Sequence, residues 1–460
     1  MFKLVLLIAV YLGLSILCYY SAPKYIKLTP QLLFILSFLP GMVYAVFYVK
    51  RWGLDFDNRT LFTLIIGGVN FVLVSMLQQY FLKKTNKLKT RRNNEYKEDK
   101  NVIIPVRKMS LEVMIVIQSI TVIWILVVLV IRFGTNISAS IFYYRYAYNT
   151  GSDYAQLGTM LSNLRYICQN AGYVWVYLFV HGIVFKYKDN RKKIILLLLL
   201  SFISEALCGA RGNIIFILFA GTLDFYLLYE YKHSWKKHLS MKMIRRIVLI
   251  AFILLVSFQG FGNVIGRGST EKNADSIAKY MSAEYKNLDS YIRNGETAKD
   301  ISDVLTLRKP LVQISKYIST EMVDENYYQY GGGLGFQSVD GFNLGNVYSA
   351  YYSYYHDGKF LGVIIFTGIM AMTLQILFWK ALGDIQRWSS QKITISIILF
   401  SLGCTACVFS FFAERFFDYI YDLALLKRVI IFYIVSSYTV NGFKNKIVIK
   451  KKWKLLRKLE

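Results

Sequence analysis

Acidic residues are scarce in this 460-residue chain: 28 Asp and Glu stand against 55 Lys and Arg, a formal net charge of +27. Cysteine and histidine are scarcer still, at five and four. All five cysteines (Cys18, Cys168, Cys208, Cys404 and Cys407) fall in or beside apolar runs, which excludes a disulfide-rich secreted scaffold. Cys404 and Cys407 have the spacing of a redox pair but no charged partner beside them, and they read as two small buried residues of one helix. His181, His233, His238 and His356 lack Cys or carboxylate partners at ligand spacing, so no metal and no cofactor is expected. Five prolines exclude a collagen-like chain. Charged residues are only 18% and hydrophobic ones 55%, which excludes a disordered chain and exceeds what a soluble domain carries.

What is present is long apolar runs. A run of about 18 residues with few charges spans about 30 Å of hydrocarbon as a helix. About eleven such runs occur, near 2–20, 31–49, 60–82, 111–131, 165–185, 194–208, 213–230, 247–266, 360–379, 393–412 and 422–440. The run 194–208 is short, and 422–440 carries Asp422, Lys427 and Arg428 at its start. The fold class expected is all-α, a polytopic membrane protein.

The basic excess is distributed by topology. Alternate connections (21–30, 83–110, 186–193, 231–246, 380–392 and the tail 441–460) hold 34 Lys/Arg, and the opposing short loops hold 7. The positive-inside rule places the first set in the cytoplasm, so the chain starts outside and ends inside. The charge of +27 is then a topology signal, not a nucleic-acid footprint, and no nucleic-acid partner is expected. The expected organisation is eight helices over 1–266 with a basic loop at 83–110, a large extracytoplasmic loop at 267–357, three helices over 358–440, and a basic tail at 441–460.

The segment 267–357 breaks the rhythm. It carries nine Lys/Arg and twelve Asp/Glu, unlike a cytoplasmic loop. Ile277, Met281, Tyr285, Leu288 and Ile292 recur at helical spacing and predict one amphipathic helix. Pro310, Leu311, Ile314 and Ile318 predict a second, with Pro in its first turn. Gly331, Gly332, Gly333 and Gly335 lead into Tyr-rich sequence ending at His356. Long ordered loops carry function. Tyrosines crowd this loop and the one containing Tyr143, Tyr144, Tyr146 and Tyr148. Tyr suits sugar rings, and it equally suits anchoring in the lipid interface.

Arginines on the side that should avoid them are more telling. Arg145, Arg165, Arg211, Arg267 and Arg415 all lie at outer helix ends or loops. Guanidinium matches phosphate or pyrophosphate bidentately. The competing reading is internal pairing, Arg211 with Glu205 or Arg415 with Glu414.

Two segments carry a resemblance. LCGARGNIIFILFAG (207–221) resembles the Ser-Arg-Gly hairpin of the O-antigen polymerase and ligase superfamily, with Ala210 in place of Ser. NVYSAYYSYYHDGKFLGVII (346–365) resembles that superfamily's block closing the large outer loop, with Asn346, aromatics, Asp357, Gly358 and Gly362. The resemblance implies a glycosyltransferase of the C-type architecture in the bacterial cytoplasmic membrane. It would transfer a growing glycan from undecaprenyl pyrophosphate to the next lipid-linked oligosaccharide repeat unit at the outer face, with a chain-length regulator as partner besides the lipid bilayer. The related ligases carry His before the block's Asn, where this chain has Gly345, which favours a polymerase. Some polymerases show Arg, ten residues, then Gly; here nine residues separate Arg211 from Gly221.

Transfer needs the pyrophosphate held, the acceptor aligned, and a base for its proton. Arg211 and Arg267, then Arg145, are expected to bind pyrophosphate, with Arg165, Arg415 and Asn346 beside them. Candidate bases are His356, Asp357, Asp340 and Glu414; Asp357 could instead cap the helix that follows it. The alternatives are a lipid-linked oligosaccharide flippase, although no internal repeat is visible, and an O-antigen ligase. A membrane O-acyltransferase would want a clear catalytic His or Ser–His pair, and none stands out.

Overall fold

Leucine, isoleucine, valine and phenylalanine fill all sides of several helices, which suits a helix surrounded by lipid and neighbours rather than by water. The structure, a computed structural model, describes residues 1–23, 26–85, 103–149, 152–235, 273–295, 297–298, 303–318, 335, 337–388 and 392–440. Among the described residues six helices are long and apolar enough to cross a membrane. They are α1 (Phe2–Ser21), α3 (Asn58–Thr85), α4 (Lys108–Phe133), α6 (Thr159–Val184), α8 (Arg211–Lys232) and α12 (Ser349–Trp388). Between them lie the shorter α2 (Pro30–Val46), α5 (Ile137–Asn149), α7 (Arg191–Leu207), α9 (Asn273–Met281), α10 (Ala283–Asn294), α11 (Arg308–Ile318), α13 (Ile395–Val408), α14 (Phe416–Ile420) and α15 (Ala424–Val440). Exposed apolar side chains such as Val5, Leu12 and Ile16 on α1 and Ile120, Ile123 and Val127 on α4 need hydrocarbon to cover them. The chain is an all-α membrane protein. The expected run 247–266 lies outside the described residues.

The helices pack through small residues and internal polar pairs, as a bilayer requires. Gly67 on α3 leaves room for Tyr351 of α12, whose ring a Cβ there would meet at 2.0 Å. Gln31 of α2 accepts from Gln375 of α12 at 2.7 Å, and Asn70 of α3 donates to Thr367 of α12 at 2.8 Å. Ser401 of α13 donates to the buried carboxylate of Asp224 on α8 at 2.6 Å.

Connections meet at two ends. At one, the Arg107 amide donates to Thr439, Asn190 reaches the Val106 carbonyl and the Leu28 amide donates to Tyr226. At the other, segment 47–57 packs on α9 and α10: Arg51 and Tyr48 bind Asp275, and Asp289 accepts from the Asp57 amide and the Thr60 hydroxyl. Gly41 on α2 lets α9 and α10 seat there, since a Cβ would lie 2.2 Å from the Met281 carbonyl. This second end is called the loop end below.

Several elements differ from expectation. The single amphipathic helix expected over 277–292 is two, broken at Ser282, where φ is −143°. The tyrosines 143–148 lie on a helix, α5, which buries Ile141, Tyr144 and Ala147 and exposes Tyr143, Tyr146 and Tyr148. The aromatic stretch before His356 is the start of α12, not loop. That helix is interrupted at Gly358 and Lys359, where Lys359 takes a positive φ of 51°. A two-stranded hairpin, β1 (Gln337–Val339) and β2 (Phe342–Gly345), turns at Asp340 and Gly341, both with positive φ.

Candidate functional site

The 207–213 hairpin is built by its own backbone. Ala210 donates to the Glu205 carbonyl at 2.9 Å, and Gly209 takes a φ of +64° that closes the turn. The absence of a Cβ on Gly209 lets the aliphatic stem of Arg145 lie on the turn, and the Arg145 guanidinium sits 5.3 Å over the Tyr148 ring. Arg211 is the first residue of α8, at the positive end of its dipole.

Glu205 is fully buried and takes Arg165 in a two-pronged pair, both contacts at 3.1 Å. Asn213 donates to the same carboxylate at 2.6 Å. Glu205, considered from sequence as a partner for Arg211, pairs with Arg165. The reason is geometric: α6 and α7 pack side by side, so residues 165 and 205 face each other, whereas Arg211 follows the turn.

From Asn213 the network continues. Tyr419 donates to the Asn213 side-chain oxygen at 3.2 Å. Arg428 of α15 donates to the Tyr419 carbonyl at 2.9 Å and to the Tyr166 hydroxyl at 3.2 Å, with its guanidinium 4.6 Å over the Tyr419 ring. Lys309 of α11 lies 2.8 Å from Asp422 and donates to the Asp418 carbonyl at 3.0 Å. Gln313 accepts from the Leu423 amide at 3.1 Å. Three cationic side chains, Arg165 of α6, Lys309 of α11 and Arg428 of α15, are therefore tied to one turn at the loop end.

The acids of that turn are perturbed. Burial pushes the Glu414 carboxyl up to about 8, opposed by its contact with Tyr354 and reinforced by the charge of Asp418. The Phe417 amide donates to Glu414 at 2.8 Å. Burial also raises Asp418, while Lys309 and Arg415 pull it back. Arg415 thus acts on Asp418 as well as on its sequence neighbour Glu414.

The remaining sequence candidates take other roles. His356 has both ring nitrogens engaged: Nε2 donates to the Asp303 carbonyl at 2.9 Å, so Nδ1 accepts from the Tyr291 hydroxyl. Both nitrogens thus face protein partners, the Asp303 carbonyl and Tyr291. Asp357 accepts from the Leu305 and Thr306 amides, each at 2.8 Å, so it holds the loop ahead of α11 and does not cap its own helix. Asp340 sits in the hairpin turn, where Asp-Gly with positive φ is favoured. Asn346 is exposed just after β2, and buried Asn287 holds the adjacent Val347 carbonyl at 2.8 Å. Arg267 lies outside the described residues. The structure so links Arg165 to the turn that carries Glu414 and Arg415, and places Arg145 and the start of α8 at Arg211 beside the hairpin.

Sequence reasoning missed Lys309, Arg428, Tyr166, Asn213, Tyr419 and Asp418. Arg428 was visible as a charge inside an apolar run, a functional signal by default. Glu414, Asp418 and Asp422 were visible as acids spaced by four. No group of His, Cys, Asp and Glu that could hold a metal ion occurs among the described residues. No family model, no curated protein and no solved structure matches the chain.

Proposed function

We propose that the protein is a polymerase of lipid-linked oligosaccharide repeat units in surface polysaccharide synthesis, a C-type glycosyltransferase of about eleven membrane helices. The loop end faces the outside of the bacterial cytoplasmic membrane, and the C-terminus faces the cytoplasm. The observation that carries this reading is the network that ties Arg165, Arg428 and Lys309 to Asn213 of the very hairpin, 207–221, that resembles the O-antigen polymerases, with Arg211 at the start of the same helix. Arginines from separate helices, held by Glu205, Tyr166 and Tyr419, are preorganised for a pyrophosphate, and preorganised charge costs no rearrangement during reaction. As its bond to the anomeric carbon breaks, the leaving undecaprenyl pyrophosphate gains one further negative charge, which such a cluster stabilises.

In this mechanism Arg211 and Arg428 bind the pyrophosphate. Glu414 takes the proton from the acceptor hydroxyl as it attacks the anomeric carbon, the bond to pyrophosphate breaks, and the lipid carrier departs with the electron pair. A carboxyl near 8 is matched to this work close to neutral pH. Exposed Tyr143, Tyr146 and Tyr148 on α5 offer apolar faces beside the site for sugar or lipid.

The test is reconstitution into lipid with one undecaprenyl-pyrophosphate-linked repeat unit and no nucleotide sugar. A ladder spaced by one unit is expected, and Arg211→Ala should abolish it at normal protein level. No ladder, with translocation of the unit across sealed vesicles, would overturn this reading in favour of a flippase.

A further inference from the structure

His356 and Asp357 sit at the break in α12, and between them they hold one short stretch of the loop. His356 Nε2 donates to the Asp303 carbonyl at 2.9 Å. Asp357 receives the Leu305 and Thr306 amides, one on each carboxylate oxygen, both at 2.8 Å. The His356 carbonyl takes a further loop strand through the Ala298 amide at 2.9 Å. Tyr291 of α10 fixes the imidazole from the other side. His356 is buried and Lys359 adopts a positive φ to make the break, so the backbone is bent where the clasp forms. Such a bidentate carboxylate cap on backbone amides is strong and directional.

The clasped stretch ends two residues before α11. Lys309, the second residue of that helix, lies 2.8 Å from Asp422 and 5.9 Å from the centre of the Tyr419 ring, the ring that also carries Arg428. Gln313, one turn on, holds the Leu423 amide. The route from the clasp to the arginine cluster is thus continuous: Asp357, the 305–306 backbone, Lys309, then the 418–423 turn.

We propose that His356 and Asp357 are positioning residues, which lock α11 across the site so that Lys309 supplies the loop's own cation to the pyrophosphate. The proposal rests on the polymerase reading for the identity of that anion. It replaces a direct chemical role for the His-Asp pair with a mechanical one. The turn's acids hold Lys309 in register while the site is empty. On binding, the pyrophosphate competes with Asp422 for its ammonium.

The experiment uses the full-length protein in lipid nanodiscs. The probe is undecaprenyl pyrophosphate itself, with binding read apart from turnover. Lys309→Ala and Asp357→Ala should each weaken binding about tenfold, and the double variant should be no weaker than the worse single one, because both remove the same contact. Lys309→Arg should restore binding. Gln313→Cys with Leu423→Cys should form a disulfide on mild oxidation, and adding Asp357→Ala should lower its yield. Asp357→Asn, which keeps one acceptor oxygen and covers the case where the Ala variant fails to fold, should fall between. Multiplicative losses in the double variant, or unchanged disulfide yield with Asp357→Ala, would overturn the proposal. A wild-type ladder with normal probe binding by Lys309→Ala overturns this proposal alone. Absence of both ladder and probe binding in the wild type overturns the polymerase reading with it.

Discussion

At the scale of single residues, the most exacting demand is made by Glu205. Its carboxylate is fully buried and has two donors, Arg165 and Asn213. Removing one partner of a buried ion pair strands the other charge. Glu205→Ala should therefore lower stability by about 3 kcal/mol, read as thermal unfolding in detergent, and Glu205→Ala with Arg165→Leu should cost less than either single change. A smaller loss for the single than for the double variant would refute the pairing. Glu414 makes a prediction of opposite kind. Burial raises its folded value to about 8, above that of an unfolded carboxyl. Its contribution to stability is then fully present below the unfolded value of about 4.5 and is lost as pH rises through about 8. Activity runs the other way, because the base works ionised: chain growth should rise with pH, half-maximal near 8, and level off above it, and Glu414→Gln should remove both rate and limb. A rate that stays flat from pH 6 to 9 would sink the assignment. At this scale the sequence revealed cations in the wrong place, Arg165, Arg211 and Arg415, because charge on a face that should lack it is a local signal. It did not reveal their partners. Arg165 meets Glu205 and Lys309 meets Asp422 across 40 and 113 positions, and spacing says nothing about such pairs.

At the scale of elements, apolar runs gave the helices directly, since the bilayer imposes one length and one composition on each. What they could not give was irregular structure at the loop end. Helix α5 is amphipathic rather than apolar, so its tyrosines read as loop. The break at Ser282 leaves the periodicity of 277–292 nearly intact, so one helix was expected where two exist. The interruption at Gly358 and Lys359 adjoins the clasp on residues 303–306, made of contacts 51 to 53 positions apart. The docking of α9 and α10 on α2 rests on one close approach at Gly41. Gly41→Ala places a methyl 2.2 Å from the Met281 carbonyl, a backbone atom that cannot step aside cheaply. It should cost about 2 kcal/mol. The loss should appear as faster proteolysis within 273–295 while the membrane helices stay intact. Proteolysis at the wild-type rate would mean that the loop helices dock elsewhere.

At the scale of the whole molecule, everything turns on which end faces the cytoplasm. The helical bundle has a loop end, where α9 and α10 seat on α2 and α11 reaches the turn at the arginine cluster, and an opposite end with the 186–193 connection. By the positive-inside rule, the asymmetry of 34 against 7 Lys/Arg is what places the opposite end inside in the proposed orientation. That orientation fixes the chemistry available to the site. In the proposed orientation the site meets sugars carried on lipid phosphates or pyrophosphates outside; inside, nucleotide sugars would compete. All five native cysteines are free and buried, so single introduced cysteines can be labelled against a low background. Lys50 is exposed at the loop end and Lys188 at the other. In intact cells Lys50→Cys should react with a membrane-impermeant maleimide, and Lys188→Cys should react only after permeabilisation. The reverse pattern would turn the arginine cluster toward the cytoplasm. A polymerase drawing on lipid-linked units at the outer face would then be untenable, whatever the contacts within the cluster.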